Sequence, residues 1–201
     1  MIPAREALAR LQEGNSRFVD GVGRSVTGRD RRAELAAGQE PFAIVLGCSD
    51  SRVPAEIVFD QGLGDLFVIR VAGNIVAPSQ IGSVEFAAAQ FGTRLVVVLG
   101  HSMCGAVLAT LQELRRPGEA QSPNLRSIVN RIRPAVASLV AGEPAADASA
   151  LVDRAVHANI RASVQSLRRG SPILEELIAS DGLLVVGASY SLETGDVDFL
   201  E

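Results

Sequence analysis

Two short polar segments hold both cysteines of the chain together with a histidine. Cys48 is followed by Asp50 and Arg52, whereas His101 stands three residues before Cys104. Thiolate, imidazole and carboxylate are the ligands that form tetrahedral zinc sites, and this soft to borderline set suits zinc better than magnesium or calcium. The four side chains of Cys48, Asp50, His101 and Cys104 therefore predict a zinc site, with Arg52 beside it.

Each of these segments directly follows a continuous apolar run, which is typical of a strand buried on both faces. The run Phe42–Leu46 leads into the first segment, and Leu95–Leu99 leads into the second. Two further runs, Leu66–Val71 and Leu183–Ala188, predict two more strands. Since sites in parallel sheets are built at the carboxyl ends of strands, we expect the two segments to meet there.

Helical patterns separate the apolar runs, and alternating strands and helices predict an α/β fold with a mostly parallel central sheet flanked by helices. The ending of the chain predicts an antiparallel edge hairpin, formed by Tyr190–Leu192, a turn at Glu193–Gly195 and a strand at Asp196–Leu200. The helices are predicted at Ser83–Phe91, Cys104–Leu114, Ser122–Val140, Leu151–Leu167 and Ser171–Ser180. The segment Ala141–Ser149 is expected to be a surface loop, so residues 1–201 are expected to form a single domain.

Residues 1–40 form a long N-terminal arm before the first strand. Apolar spacing predicts an amphipathic helix from Pro3 to about Asp20. We expect the apolar stripe of this helical arm to pack on a partner subunit.

The pairing of Asp50 with Arg52 suggests a switch at the fourth zinc position. If strand geometry continued past Cys48, the alternation of side chains would place Cys48, Asp50 and Arg52 on the same side of the strand. With Arg52 holding Asp50, the fourth position is open to water; without that pair, Asp50 occupies the position.

Ser102 is predicted to cap the helix that begins near Cys104.

These residues also allow other interpretations. The zinc site is purely structural in one of them, and the Asp50–Arg52 pair is then an ordinary ion pair. His157 and Tyr190 are interpreted as packing residues, and the glycines at 62 and 64 as turn residues.

Composition narrows the class of protein further. The 201 residues are 47% hydrophobic and 21% charged with a net charge of −4. This balance fits a globular core and argues against a nucleic-acid surface. No apolar run approaches the roughly 20 residues that span a bilayer. The charged N-terminal segment lacks the apolar centre of a signal peptide, so we expect a cytoplasmic protein without a membrane partner.

The segments Cys48–Pro54 and Gly100–Gly105 resemble the two signature motifs of the β-class carbonic anhydrases. The likeness extends over nearly the whole chain, through Asn15–Phe18, Gly64–Arg70, Ala72–Asn74 and Thr194–Leu200. It implies reversible hydration of CO₂ to bicarbonate and a proton by zinc-bound hydroxide, and assembly as a homodimer or a dimer of dimers.

The resemblance also implies a role for each site residue. Cys48, His101 and Cys104 are the permanent Zn²⁺ ligands, and Asp50 is both a catalytic residue and the fourth ligand of a closed state. Arg52 orients Asp50 when the site is open. The weaker assignments place Phe67 and the backbone N–H of Gly105 in the substrate pocket.

One departure from the family concerns regulation. Some bacterial members close their site through a bicarbonate pocket that uses a tryptophan near the first motif. This chain has no tryptophan, and Val45 occupies that position, so we expect it to lack that switch. Hydrolysis of COS or CS₂ on the same zinc scaffold and a non-catalytic zinc-stabilised interaction module remain the alternative functions.

Overall fold

The computed structural model describes residues 2–23, 29–116, 122–141 and 148–200. In these ranges five strands form one sheet in the order β2-β1-β3-β4-β5. Strands β1 to β4 are parallel to one another, and β5 runs antiparallel to β4, which confirms the predicted mostly parallel α/β fold. The strands are β1 Ala43–Gly47, β2 Leu66–Arg70, β3 Leu95–His101, β4 Leu184–Tyr190 and β5 Val197–Leu200.

Helices lie on both faces of this sheet, and a 3-10 turn at Ala72–Asn74 follows β2. The helix predicted at Ser83 begins five residues earlier, because Pro78 has the fixed φ angle that suits a first helical turn. The predicted loop at 141–149 is partly helical, since α7 begins at Ala148; its residues 142–147 lie outside the described ranges. The helices are α1 Ala4–Val19, α2 Arg29–Leu35, α3 Ala55–Val58, α4 Pro78–Gln90, α5 Gly105–Arg115, α6 Pro123–Ala141, α7 Ala148–Arg169 and α8 Pro172–Ser180.

The two faces of the sheet carry separate apolar cores, because successive strand side chains point to opposite faces. In β1, Ile44 and Leu46 belong to the core beneath α4–α8, and Ala43 and Val45 belong to the core beneath α1 and α3. All five residues of β1 are buried, as are all seven of β3. This double burial explains why continuous apolar runs marked these strands.

The strand order reverses at β1. The chain passes from β1 to β2 on one side, then crosses over to β3 on the other side. A crevice opens at the carboxyl ends of two strands where an α/β sheet reverses its order, and ligands bind there. The two polar segments with the candidate ligands follow β1 and β3, the two strands that border this point.

The hairpin at the end of the chain is present, although its first arm is the end of β4 itself. Strand β4 continues to Tyr190, two residues beyond the predicted end of the fourth run, and its last four residues pair with β5. The turn between them contains Gly195 with φ of 84°. Glycine adopts this conformation without steric cost.

Helix α1 packs on the sheet of its own chain. Leu11 is fully buried in the core beneath α1 and α3. Asn15 donates from Nδ2 to the carbonyl oxygens of Val58 (3.0 Å) and Gly195 (2.9 Å), and its Oδ1 accepts from the backbone N–H of Val197 (2.9 Å). Packing of the arm on a partner subunit, like the single-domain organisation, stays a prediction.

No helix in the described part of the chain combines the length and the apolar character that a bilayer span requires.

Candidate metal centre

The switch point of the sheet brings three side chains together. Cys48 is the first residue after β1, His101 is the last residue of β3, and Cys104 is the residue that precedes α5. Their ligand atoms all lie within 4.8 Å of one another, and all three residues are buried. Cys48 and His101, 53 positions apart in sequence (101 − 48), meet because β1 and β3 are adjacent in the sheet, and Cys104 joins them from the position before α5.

The segment between His101 and Cys104 is held in place by the C-terminal hairpin. The backbone N–H of Ser102 donates to the carbonyl of Tyr190 (2.9 Å), and the Ser102 hydroxyl accepts from the N–H of Leu192 (3.0 Å). The predicted capping role of Ser102 is therefore wrong, because its oxygen is used by the hairpin. The cap position of α5 is Cys104, whose side chain accepts no capping hydrogen bond.

The imidazole of His101 is oriented for coordination through Nε2. Its Nδ1 lies 2.9 Å from the carbonyl oxygen of Ser102. Because a carbonyl only accepts, Nδ1 carries the proton and Nε2 keeps a free lone pair. Within the described residues Nε2 is a buried nitrogen without a hydrogen-bond partner, which is the state expected of a metal ligand.

The two thiols interact directly in the metal-free protein. The hydrogen bond with Cys104 is the main cause that lowers the pKa of Cys48 to about 4, and His101 and the backbone N–H of Gly73 (3.3 Å from Sγ) lower it further. The same contact with Cys48, together with burial, raises the pKa of Cys104. The pair therefore holds one proton at neutral pH, and a divalent cation replaces that proton when both thiolates coordinate it.

Asp50 and Arg52 form a bidentate pair at the edge of this cluster. Arg52 Nε donates to Asp50 Oδ1 (2.9 Å), Nη2 donates to Oδ2 (2.7 Å), and the Arg52 backbone N–H donates to Oδ1 (3.0 Å). These hydrogen bonds hold the pKa of the Asp50 carboxyl well below its usual range. The carboxylate lies outside the three-ligand cluster, with Oδ2 3.9 Å from His101 Nε2.

The route by which Arg52 reaches Asp50 differs from the prediction. The chain does not stay extended after Cys48: β1 ends at Gly47, and a turn at 51–52 is closed by the bond from the Val53 N–H to the Asp50 carbonyl (3.0 Å). The guanidinium folds back across this turn. The structure thus brings the two charges together by a turn and not by strand alternation.

Sequence reasoning gave no role to Arg70, which supports the first motif from β2. Its Nε donates to the Cys48 carbonyl (3.0 Å) and its Nη2 to the Asp50 carbonyl (2.6 Å). Its position at the carboxyl end of an apolar strand is the sequence feature that could have indicated this role. These bonds fix the backbone on both sides of Ser49 independently of Arg52.

Phe67 and Gly105, the two residues predicted to line the substrate pocket, lie in different parts of the structure. Gly105 is the exposed first residue of α5, and a side chain at this position would meet open space. Phe67 pairs with Ile44 in the sheet. Ile44 stands four residues before Cys48, which is about 13 Å along an extended strand. The Phe67 ring contacts Phe86 and Phe91 at centroid distances of 6.1 and 6.0 Å. The pocket role of each residue stays a prediction.

The fold and the donor set define an α/β protein with a Cys₂His cluster that could hold a metal ion at its topological switch point. A sequence profile described as carbonic anhydrase matches residues 43–197. Carbonic anhydrase 2 of Mycobacterium tuberculosis is 42% identical over 189 residues, which cover 92% of this chain and 87% of that protein. The carbonic anhydrase of Mycolicibacterium smegmatis is 41% identical over 189 residues, covering 94% and 89%.

Solved structures agree with these sequence relatives. A chain from the crystal structures of two tetrameric β-carbonic anhydrases of Sordaria macrospora matches with a TM-score of 0.73 and 30% identity, covering 84% of this chain and 85% of that one. The β-carbonic anhydrase CcaA matches with a TM-score of 0.77 and 28% identity, covering 97% and 92%. The chain therefore belongs to the carbonic anhydrase family, in its β class.

Proposed function

We propose that a zinc ion held by Cys48, His101 and Cys104 serves the reversible hydration of CO₂, the reaction of the family to which this chain belongs. The observation that carries the proposal is the convergence of three buried ligand atoms within 4.8 Å, one of them a histidine nitrogen without another partner among the described residues. A structural packing role leaves that nitrogen unexplained.

The residues fit zinc on chemical grounds. Two thiolates and one neutral imidazole balance the charge of a divalent ion, and three protein ligands leave the open fourth position that distinguishes catalytic zinc sites. When bound, zinc supplies a Lewis acid that makes a water molecule nucleophilic near neutral pH. Magnesium and calcium prefer all-oxygen ligand sets, which this cluster does not offer.

Asp50 is proposed to orient the attacking water. Its pKa lies well below the usual range, which keeps the carboxylate ionised at neutral pH. An ionised carboxylate accepts hydrogen bonds and does not donate them. Arg52 is proposed to hold this carboxylate beside the cluster and out of the fourth position. The Asp50–Arg52 pair supports an open arrangement, and the absence of the bicarbonate switch in a chain with Val45 at the tryptophan position stays a prediction.

The substrate side of the site is proposed to include the N-terminus of α5. The N–H of Gly105 lies in the first turn of this helix. Backbone donors at that place have no partner within the helix. Such donors favour the negative charge that develops on the oxygens of CO₂ as bicarbonate forms.

Assembly and location complete the proposal. One of the related structures is described as tetrameric, which supports a homo-oligomer built from dimers. The two reduced, buried thiols fit the reducing environment of the cytoplasm. Light scattering of the purified protein measures its oligomeric state, and fractionation of the producing cells measures its location.

The activity is tested on one sample by zinc analysis and stopped-flow CO₂ hydration across the neutral to mildly alkaline range. We expect one zinc per chain and rapid hydration, with Cys104→Ser losing both. Full zinc occupancy with hydration at the background rate would leave the interaction module as the function. Faster turnover of COS or CS₂ than of CO₂ would favour the hydrolase alternative, which the carbonic anhydrase relatives do not favour.

A further inference from the structure

A buried hydrogen-bond network connects helix α7 to one of the cluster thiols. We propose that Asn159 and Ser163 are positioning residues, which lock the 3-10 turn at Ala72–Asn74 so that the N–H of Gly73 donates to Cys48 Sγ. This inference rests on the proposed metal site and assigns a function to a helix that contributes no ligand to it.

The turn has a backbone conformation that does not persist without support. Gly73 has φ of 73° and ψ of 21°, and the next residue, Asn74, has φ of 43°. Two consecutive residues in the left-handed region are unfavourable, especially where the second is not glycine, and such conformations persist only when the surroundings enforce them. Because the amide that reaches Cys48 Sγ at 3.3 Å belongs to this turn, the donor direction depends on that enforcement.

Helix α7 provides the enforcement from one side. Asn159 Nδ2 donates to the carbonyl of Gly73 (2.8 Å), and Ser163 Oγ donates to the carbonyl of Asn74 (3.0 Å). Residues four positions apart lie one helical turn apart on the same face. The two residues are 2% and 4% exposed. They therefore fix two successive carbonyls of the turn from within the protein interior.

Helices α5 and α6 close the other side. A β-carbon at Gly73 would lie 2.9 Å from Ala106 Cβ and 2.9 Å from Ile132 Cδ1. The turn is thus enclosed between α5 and α6 on one hand and the two polar residues of α7 on the other. The side chains of Asn159 and Ser163 are the polar part of this enclosure, and their removal leaves the apolar part intact.

The hydrogen bond has a defined effect on a thiolate ligand. An N–H donor withdraws electron density from the sulfur, so the sulfur donates less charge to a bound metal. Groups that orient and polarise ligands in this way typically change metal affinity by about 10–100-fold when they are mutated. Asn159 and Ser163 act on the metal only through Gly73 and Cys48.

Cobalt(II) is the probe, since its thiolate charge-transfer bands report the electron density on sulfur. We expect Asn159→Ala to weaken cobalt and zinc binding by about 10–100-fold in competition with a chromophoric chelator, because the lost positioning of Cys48 Sγ by the Gly73 N–H outweighs the stronger charge donation of the released sulfur. We also expect its charge-transfer band to move to lower energy, because a sulfur without the N–H donor gives up charge more easily. Ser163→Ala is a milder change and serves as the test if Asn159→Ala does not fold. It should likewise weaken metal binding and move the charge-transfer band to lower energy.

Thr93→Val is the matched control. Thr93 is fully buried and donates to the Pro41 carbonyl (2.6 Å) just before β3, at the end of the sheet opposite the cluster. This variant should lose stability but keep the cobalt band and the metal affinity of the natural chain. If the Asn159 and Ser163 variants keep the cobalt band and the metal affinity unchanged, or if Thr93→Val changes both equally, this inference is overturned while the proposed metal site still stands. A natural chain without a cobalt–thiolate band would overturn the proposed metal site, and this inference with it.

Discussion

Replacing Arg52 by alanine tests whether orientation of Asp50 limits the reaction. The guanidinium supplies two of the three hydrogen bonds from Arg52 to the Asp50 carboxylate, and the third comes from the backbone and survives the substitution. Arg70 continues to hold the carbonyls of Cys48 and Asp50, so the backbone of the motif should keep its shape. The carboxylate is therefore expected to rotate without any change in the three metal ligands.

The expected loss in kcat is about 100-fold, since misplacing a reacting group by about 1 Å costs on that order. Zinc content should stay at one per chain. The guanidinium is the main cause of the lowered pKa of Asp50. Its loss lets that pKa rise toward the ordinary value of about 4, which is still far below neutral. Asp50 thus stays ionised throughout the neutral to mildly alkaline range, and stopped-flow hydration should show a uniformly lower profile of unchanged shape.

Arg94→Ala is the control for this experiment. Arg94 also pairs with an aspartate, Asp181, but at the start of β3, far from the carboxyl ends of the strands. It should change stability and leave kcat intact. Full recovery of Arg52→Ala at high pH would refute the orientation argument, because it would show that the variant had lost ionisation of Asp50 or that the released Asp50 had blocked the fourth position until hydroxide displaced it. Loss of zinc from Arg52→Ala would refute it as well.

Two further predictions concern stability. In the metal-free protein the pKa of Cys48 is lowered to about 4. Between that value and the ordinary cysteine pKa of about 8.5, the unfolded chain binds more protons at the two thiols, so stability should rise with pH. At higher pH the folded chain keeps a proton on Cys104, whose pKa is raised, and the unfolded chain loses it, so stability should fall. Urea titrations of the metal-free protein at different pH values should therefore show a maximum in the free energy of unfolding, and Cys48→Ser should lack that maximum. Asn15 bridges two carbonyls and one N–H, which lose their partner in Asn15→Ala. This substitution should lower the free energy of unfolding by roughly 2–4 kcal/mol. Ser16→Ala removes only an exposed bond within α1. It should stay within about 0.5 kcal/mol of the natural chain, and equal losses for both variants would contradict the bridging role of Asn15.

The sheet could be predicted from the sequence because its strands are buried on both faces. A strand such as β3, with every residue buried, must be apolar almost throughout, and a run of that kind is visible without any tertiary information. The convergence of Cys48, His101 and Cys104 could be predicted for a related reason: these residues follow such runs closely, and adjacent parallel strands end at the same edge.

Features that depend on contacts between distant segments could not be predicted. The hydroxyl of Ser102 bonds to Leu192, 90 positions later in the chain, which defeats a prediction based on the local capping pattern. Asn159 and Ser163 lie in an amphipathic helix whose pattern explains them as ordinary polar positions. Their contact with the turn at Gly73 arises only when α7 packs across the sheet.

The bridge from Asn15 to Gly195 and Val197 has a consequence for the order of synthesis. Its two sides are 180 or more positions apart, so α1 leaves the ribosome long before the hairpin that completes its docking site. At a synthesis rate of about 5–20 residues per second, the interval is roughly 10–40 s. During this interval the buried side of α1, including Leu11, faces an incomplete surface, and chaperones or a neighbouring nascent chain have time to bind it.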